Sequence, residues 1–173
     1  MKSTTISVVV TALFLLAWNT EADEKSSEPA PEFRELEFWI GTWETEGMNF
    51  DSVFGPGGSF QSIESCAWFD DEHFTVVCEW SEDEGSDVHG MTIVSYGMHE
   101  GAHTIYNFGS GLPPVFFTGS KEGNVWTFVE ASDEAGRYTL EVTSPDTYSY
   151  AFEYKIGDGD WMKASEGRAR KVR

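Results

Sequence analysis

Basic residues are scarce in this chain. Eleven lysines and arginines stand against 30 aspartates and glutamates, a formal net charge of −19. A surface this negative repels phosphate backbones and anionic headgroups, so neither nucleic-acid binding nor electrostatic docking to a membrane is expected. The familiar catalytic signatures are also missing. There is no Gly-x-Ser-x-Gly, no P-loop, no Gly-x-Gly-x-x-Gly after a strand and no His-Glu-x-x-His. Histidine occurs four times and cysteine twice. Internal repeats are absent.

Aromatic residues, in contrast, make up 15% of the 173 residues, with 13 Phe, 7 Trp and 6 Tyr. Such a load excludes wholesale disorder and suits β-strands. The length fits one domain with a sizeable core. Residues 1–22 read as a secretory signal: Lys2 gives a positive start, an apolar run extends from Ile6 to Trp18, and Ala22 offers a small residue for cleavage. That run is too short for a comfortable span of about 20 residues, so no integral membrane span is expected after cleavage. Residues 23–32, with Pro29 and Pro31, read as a flexible leader, and residues 33–173 as the folded domain. The expected location is periplasmic or secreted.

An oxidising compartment makes a disulfide between Cys66 and Cys78 reasonable. Ser59 to Phe69 and Phe74 to Trp80 read as two strands around the polar turn at residues 70–73. With the hairpin centred on Glu72, residues whose numbers sum to 144 face each other, and the two cysteines are such a pair. Two buried thiols are the plainer alternative; no further ligands at metal spacing accompany them.

One short helix is expected at Phe33 to Ile40, where Phe33, Leu36 and Ile40 fall at helical spacing. About ten short β-runs follow, joined by Gly-, Pro- and Asp-rich turns with no helical crossover between them. That pattern predicts an all-β fold, a single antiparallel up-and-down barrel, because closure removes exposed edges. A two-sheet sandwich is the alternative.

Leu36-Glu37-Phe38-Trp39-Ile40-Gly41-Thr42-Trp43 resembles the Leu-x-x-x-x-Gly-x-Trp entry of calycin-type barrels. A Met-Thr-Ile-Val-Ser-Tyr strand, a Gly-Asn-Val-Trp-Thr-Phe strand and a late Asp-Gly-Asp-Trp turn extend the likeness. The chain is similar to secreted bacterial lipocalin-like proteins of unassigned function, distantly related to nitrobindin and fatty-acid-binding proteins. The resemblance implies a lipocalin-like barrel of about ten strands, with Trp43 packed across its closed end. Nitrobindin-like proteins hold haem through a histidine near the last strand. Here residues 161–170 contain none, so haem, and any other cofactor, is not expected.

Candidate chemistry is sparse. His99 and His103 flank Glu100 in an expected hairpin turn, too few ligands for a metal site. Asp158 and Asp160 read as a tight turn rather than a calcium loop. Inward polar candidates are Glu64, Glu79, Glu130, Glu141, Glu153 and Arg137. The residues expected to line a ligand site are Trp43, Tyr106, Trp126, Arg137 and Arg168, with no metal. The leading functional expectation is non-catalytic binding of a small apolar or amphipathic molecule in the barrel. The alternatives are an enzyme using a polar group in the cavity, and an interaction module with a filled core.

Overall fold

The computed structural model describes residues 31–70, 74–82, 87–97, 101–111, 113–132 and 135–172. The signal expected at residues 1–22, most of the leader, His73 and His99 lie outside the described residues. The chain opens with a one-turn helix, α1 (Pro31–Arg34), and a 3-10 helix (Glu35–Trp39). The single helix expected from Phe33 to Ile40 is thus two short pieces. The reason lies in the spacing: Phe33, Leu36 and Trp39 are the buried residues, and a stripe repeating every third residue suits a 3-10 helix.

Ten strands follow: β1 (Gly41–Asn49), β2 (Gly58–Trp68), β3 (Thr75–Glu82), β4 (His89–Gly97), β5 (Ala102–Gly109), β6 (Val115–Glu122), β7 (Val125–Glu130), β8 (Gly136–Ser144), β9 (Thr147–Tyr154) and β10 (Met162–Val172). Each pairs antiparallel with its sequence neighbour, and β1 pairs with β10, closing the barrel. The expected all-β, up-and-down architecture is therefore the observed one. Gly41 joins helix to barrel at φ +124°, a backbone region closed to other residues, which explains the glycine of the Gly-x-Trp entry. Among the described residues no helix is long and apolar enough to cross a membrane.

The hairpin register is also as expected: Cys66 is directly opposite Cys78, and the two form a disulfide. Both cysteines point into the barrel and are buried. They tie the β2–β3 hairpin together on its inner face.

Closure depends on inward-facing glycines placed across from aromatic residues. Gly47 pairs with Phe60, Gly90 with Trp80, Gly119 with Phe128 and Gly167 with Tyr150. In each case the ring lies over the glycine. A Cβ on Gly119 would come 2.2 Å from the Thr127 carbonyl oxygen and 2.5 Å from Phe128. A Cβ on Gly90 would come 2.2 Å from the Phe108 carbonyl oxygen and 2.4 Å from Trp80. Missing side chains at these points let a strongly curved sheet bend while the opposing rings fill the space.

Two stability effects follow. Gly119→Ala should lower the free energy of unfolding by about 2 kcal/mol through overpacking, whereas Gly58→Ala, with open space around its Cβ, should change it by less than about 0.5 kcal/mol. Chemical denaturation of both variants checks the contrast. Replacing both cysteines by serine should cost about 3 kcal/mol, the expected contribution of closing a loop of this size, which spans a sequence separation of 12; thermal and urea unfolding with and without reductant measure it.

Candidate functional site

Strand alternation sorts the barrel into an inner and an outer surface. Inward residues include Trp43 and Thr45 on β1, Ser62, Glu64 and Cys66 on β2, and Trp126 and Phe128 on β7; on β9 they are Tyr148, Tyr150, Phe152 and Tyr154. The burial of these positions alternates with that of their exposed neighbours, such as Glu44, Gln61 and Ile63.

One end of the barrel is plugged by the N-terminal helices. Leu36, Trp43, Val76, Val94, Trp126 and Leu140 are there at 0–1% exposure. The Trp43 ring lies 5.1 Å from Phe38 and 5.0 Å from Tyr148, and its Nε1 donates to the Trp39 carbonyl at 2.9 Å. Two lysines fasten the plug. Lys121 Nζ donates to Glu35 at 2.9 Å and lies over the Trp126 ring. Lys171 Nζ donates to the Phe38 carbonyl at 3.3 Å and lies over Trp43. His103 belongs to this plug: buried against Tyr96 and Trp126, with Nε2 3.5 Å from Glu35. Burial holds its pKa below the ordinary value. It is the second residue of β5 and points inward; His99 and Glu100, the other members of the expected turn group, lie outside the described residues.

The other half of the interior is less completely buried. Phe60, Ser62, Glu64, Trp80, Tyr138 and Tyr150 face inward yet keep part of their surface. Near the rim the β1–β2 loop brings Phe54 over Phe152 and Tyr154, with ring centroids 5.8 and 5.1 Å apart.

At the junction of the two halves is Glu64. Its cross-strand partners are Trp43 on one side and Trp80 on the other. Its carboxylate lies within 4.8 Å of both disulfide sulfurs. The sulfurs are bonded to each other, so this trio offers no thiolate to a metal. Deep in the barrel, Glu64 loses most of its hydration, and burial pushes its pKa from 4.5 up to about 7. Burial, with the Glu64 charge as a lesser cause, drives the phenols of Tyr138, Tyr148 and Tyr150 above the ordinary range. Tyr138 stacks on Tyr150 with centroids 5.4 Å apart. Among the described residues no lysine, arginine or histidine pairs with Glu64.

Of the residues expected to line a ligand site, Trp43 and Trp126 form the buried floor. The other three face outward. Tyr106 is 43% exposed and stacks on Phe116. Arg137 pairs with Glu153 at 2.6 Å and lies over the Trp161 ring. Arg168 lines a shallow outer groove with Glu46, Glu141 and Glu166. A one-residue step inverts the face of a strand, and nothing local to these three positions fixes the sign. Glu79, Glu141 and Glu153 are likewise on the outer wall, whereas Glu64 and Glu130 face in. Cys66 carried the missing signal: two residues from Glu64, it shares its face, and a disulfide inside the barrel sends both inward.

No family model matches the sequence, and no curated protein matches it. Solved structures do share its fold. Rv2717c from M. tuberculosis aligns with a TM-score of 0.60 at 11% identity, over 84% of this chain and 100% of that one. The S-type phycobiliprotein lyase CPES from Guillardia theta aligns with a TM-score of 0.56 at 14% identity, over 81% of this chain and 92% of that one. At such identities the likeness is one of fold alone.

The raised Glu64 pKa carries a stability consequence. The unfolded carboxyl titrates at its ordinary 4.5 and the folded one at about 7, so the fold favours the protonated form. The associated stability is complete below pH 4.5 and is lost as pH rises through 7. Glu64→Gln should remove that loss, making the variant more stable than the parent above pH 7 by on the order of 2–3 kcal/mol, with little gain at pH 4.5. Urea unfolding of both proteins across this range reads the difference.

Proposed function

We propose that this barrel binds a small apolar or amphipathic molecule in its open half, as an exported, non-catalytic ligand-binding protein. The observation that carries the reading is the division of the interior. The helix-plugged end is closed by the fully buried Trp43, Trp126, Leu36 and Leu140, while the inward-facing Phe60, Ser62, Trp80, Tyr138 and Tyr150 beyond it are only partly buried. An aromatic-walled cavity with few polar groups is the usual form of a small-molecule site. Trp43 would serve as the floor and Phe54 as a rim contact. Export rests on the N-terminal sequence; the disulfide fits an oxidising compartment.

A second reading is favoured by one observation, the Glu64 carboxyl titrating near neutrality inside a cavity, as proton-transfer groups do. It differs in what leaves the barrel: a changed compound rather than the one that entered.

Native mass spectrometry of the mature protein from an exporting bacterial host, beside the denatured sample, tests binding. The expected result is a mass excess lost on denaturation, with the released compound unchanged on re-addition. Ser62→Trp, which fills the interior, should weaken rebinding of that compound at least about tenfold, and Gln61→Trp, on the outer wall, should not. Equal rebinding by both variants would place the ligand outside the barrel.

A further inference from the structure

Among the described residues, the charged groups facing into the open half are all of one sign. Glu64, Glu82 and Glu130 face inward there, and no lysine or arginine among the described residues does. The two inward lysines are at the plugged end and engaged, Lys121 with Glu35 and Lys171 with the Phe38 carbonyl. Arg137, Arg168 and Arg170 belong to the outer wall. A ligand carboxylate entering this space would find no cation to receive it.

Glu64 is a different kind of group from the surface acids. It is enclosed by the barrel wall, points into the interior, and has no basic partner among the described residues. Around it are the rings of Tyr138, Tyr148 and Tyr150, the Trp43 and Trp80 neighbours on the adjacent strands, Glu82 on β3, and the disulfide. Aromatic faces carry negative quadrupole density and attract a positive charge. A buried carboxylate gains most from a cation that arrives with it in the same dry space. The net charge of −19 adds a field that draws cations toward the protein.

Resting on the proposal that the open half holds a ligand, we infer that Glu64 is the counter-ion for a protonated amine. The ligand class is a small organic cation with a flat or apolar body: the ammonium beside the Glu64 carboxylate and the tyrosine rings, the body toward Phe60 and Phe152. Binding by the neutral carboxyl form expels its proton, since the carboxylate is the form that pairs with the ammonium. Near pH 7, where the carboxyl is about half protonated, complex formation should release about half a proton.

Three probes with one indole body separate the charges: tryptamine (cationic), 3-ethylindole (neutral) and indole-3-propionate (anionic). Isothermal titration calorimetry at about 0.15 M salt, which screens surface attraction, is the measurement. Tryptamine should bind at least about tenfold tighter than 3-ethylindole, and the propionate weakest. Tryptamine affinity should rise from about pH 6 to about pH 8, because Glu64 ionises over that interval while the amine stays charged. Titrations in buffers of different ionisation enthalpy count the released proton. Glu64→Gln should abolish the preference for tryptamine while keeping 3-ethylindole binding, which also shows that the variant is folded. Glu46→Gln, which removes one outer-wall acid, should leave the preference intact. Binding of 3-ethylindole with no preference for tryptamine overturns the cation assignment and leaves the cavity reading standing. A preference that survives Glu64→Gln overturns it as well, assigning the attraction to the general acidic field. Failure of all three probes to bind overturns the cavity reading and the cation assignment together.

Discussion

Curvature is the constraint on which the rest of this structure depends. A sheet of ten strands closes on itself only if the backbone can bend where side chains would crowd the inside. Four glycine–aromatic pairs, Gly47–Phe60, Gly90–Trp80, Gly119–Phe128 and Gly167–Tyr150, meet that need. The glycines remove inward side chains at points of close approach. The aromatic partners fold over them and become part of the inner lining. Gly47 and Gly167 also face each other across β1 and β10, so the seam that closes the barrel bends at one shared position. The high aromatic content and the glycine content are therefore parts of one device: each ring occupies the space a glycine leaves.

The same rings explain why the interior is divided. At the end sealed by the helices, Trp39, Trp43, Trp126 and Phe38 pack among themselves and leave no room. At the other end rings lie over glycines instead, Tyr150 over Gly167 and Phe60 over Gly47. One sequence pattern is thus applied with different partners, a helix in the first case and glycine in the second.

Much of the fold was legible in the sequence because β-structure announces itself through turns. Gly-Asp, Pro-Pro and Lys-Glu-Gly-Asn segments separate the runs, and their short spacing leaves only antiparallel neighbours. The Cys66–Cys78 register was legible for the same reason, since one turn centre fixes every pair in the hairpin. The split helix was not, because a period of three and one of 3.6 diverge little over eight residues, and Trp39 rather than Ile40 carries the stripe inward. The site was legible only as a set. Glu64 stood among six polar candidates, and parity alone sorts them. Tyr106, Arg137 and Arg168 resemble ligand contacts by residue type, yet all three project outward. Residue type says what a side chain can do; the strand's phase says where it can do it.

Glu64 is the position where these considerations meet. An acid placed across from Trp43 and Trp80 and beside a disulfide disfavours its own ionisation, and glutamine could occupy that space with no charge to bury. Stability alone offers no reason for a carboxyl there. Nor does specificity of folding: the register of β2 is already fixed by the disulfide and by the neighbouring Gly47–Phe60 pair, so no buried ion pair is needed to hold it. The carboxyl instead stands inside the barrel at the edge of the fully buried floor. A group that destabilises the empty barrel and is offset only by something entering it has the energetic form of a binding residue, in which the fold carries the desolvation cost before the ligand arrives. The outer acids, solvated and screened, incur no such cost and determine only how strongly the protein repels anions and gathers cations from a distance.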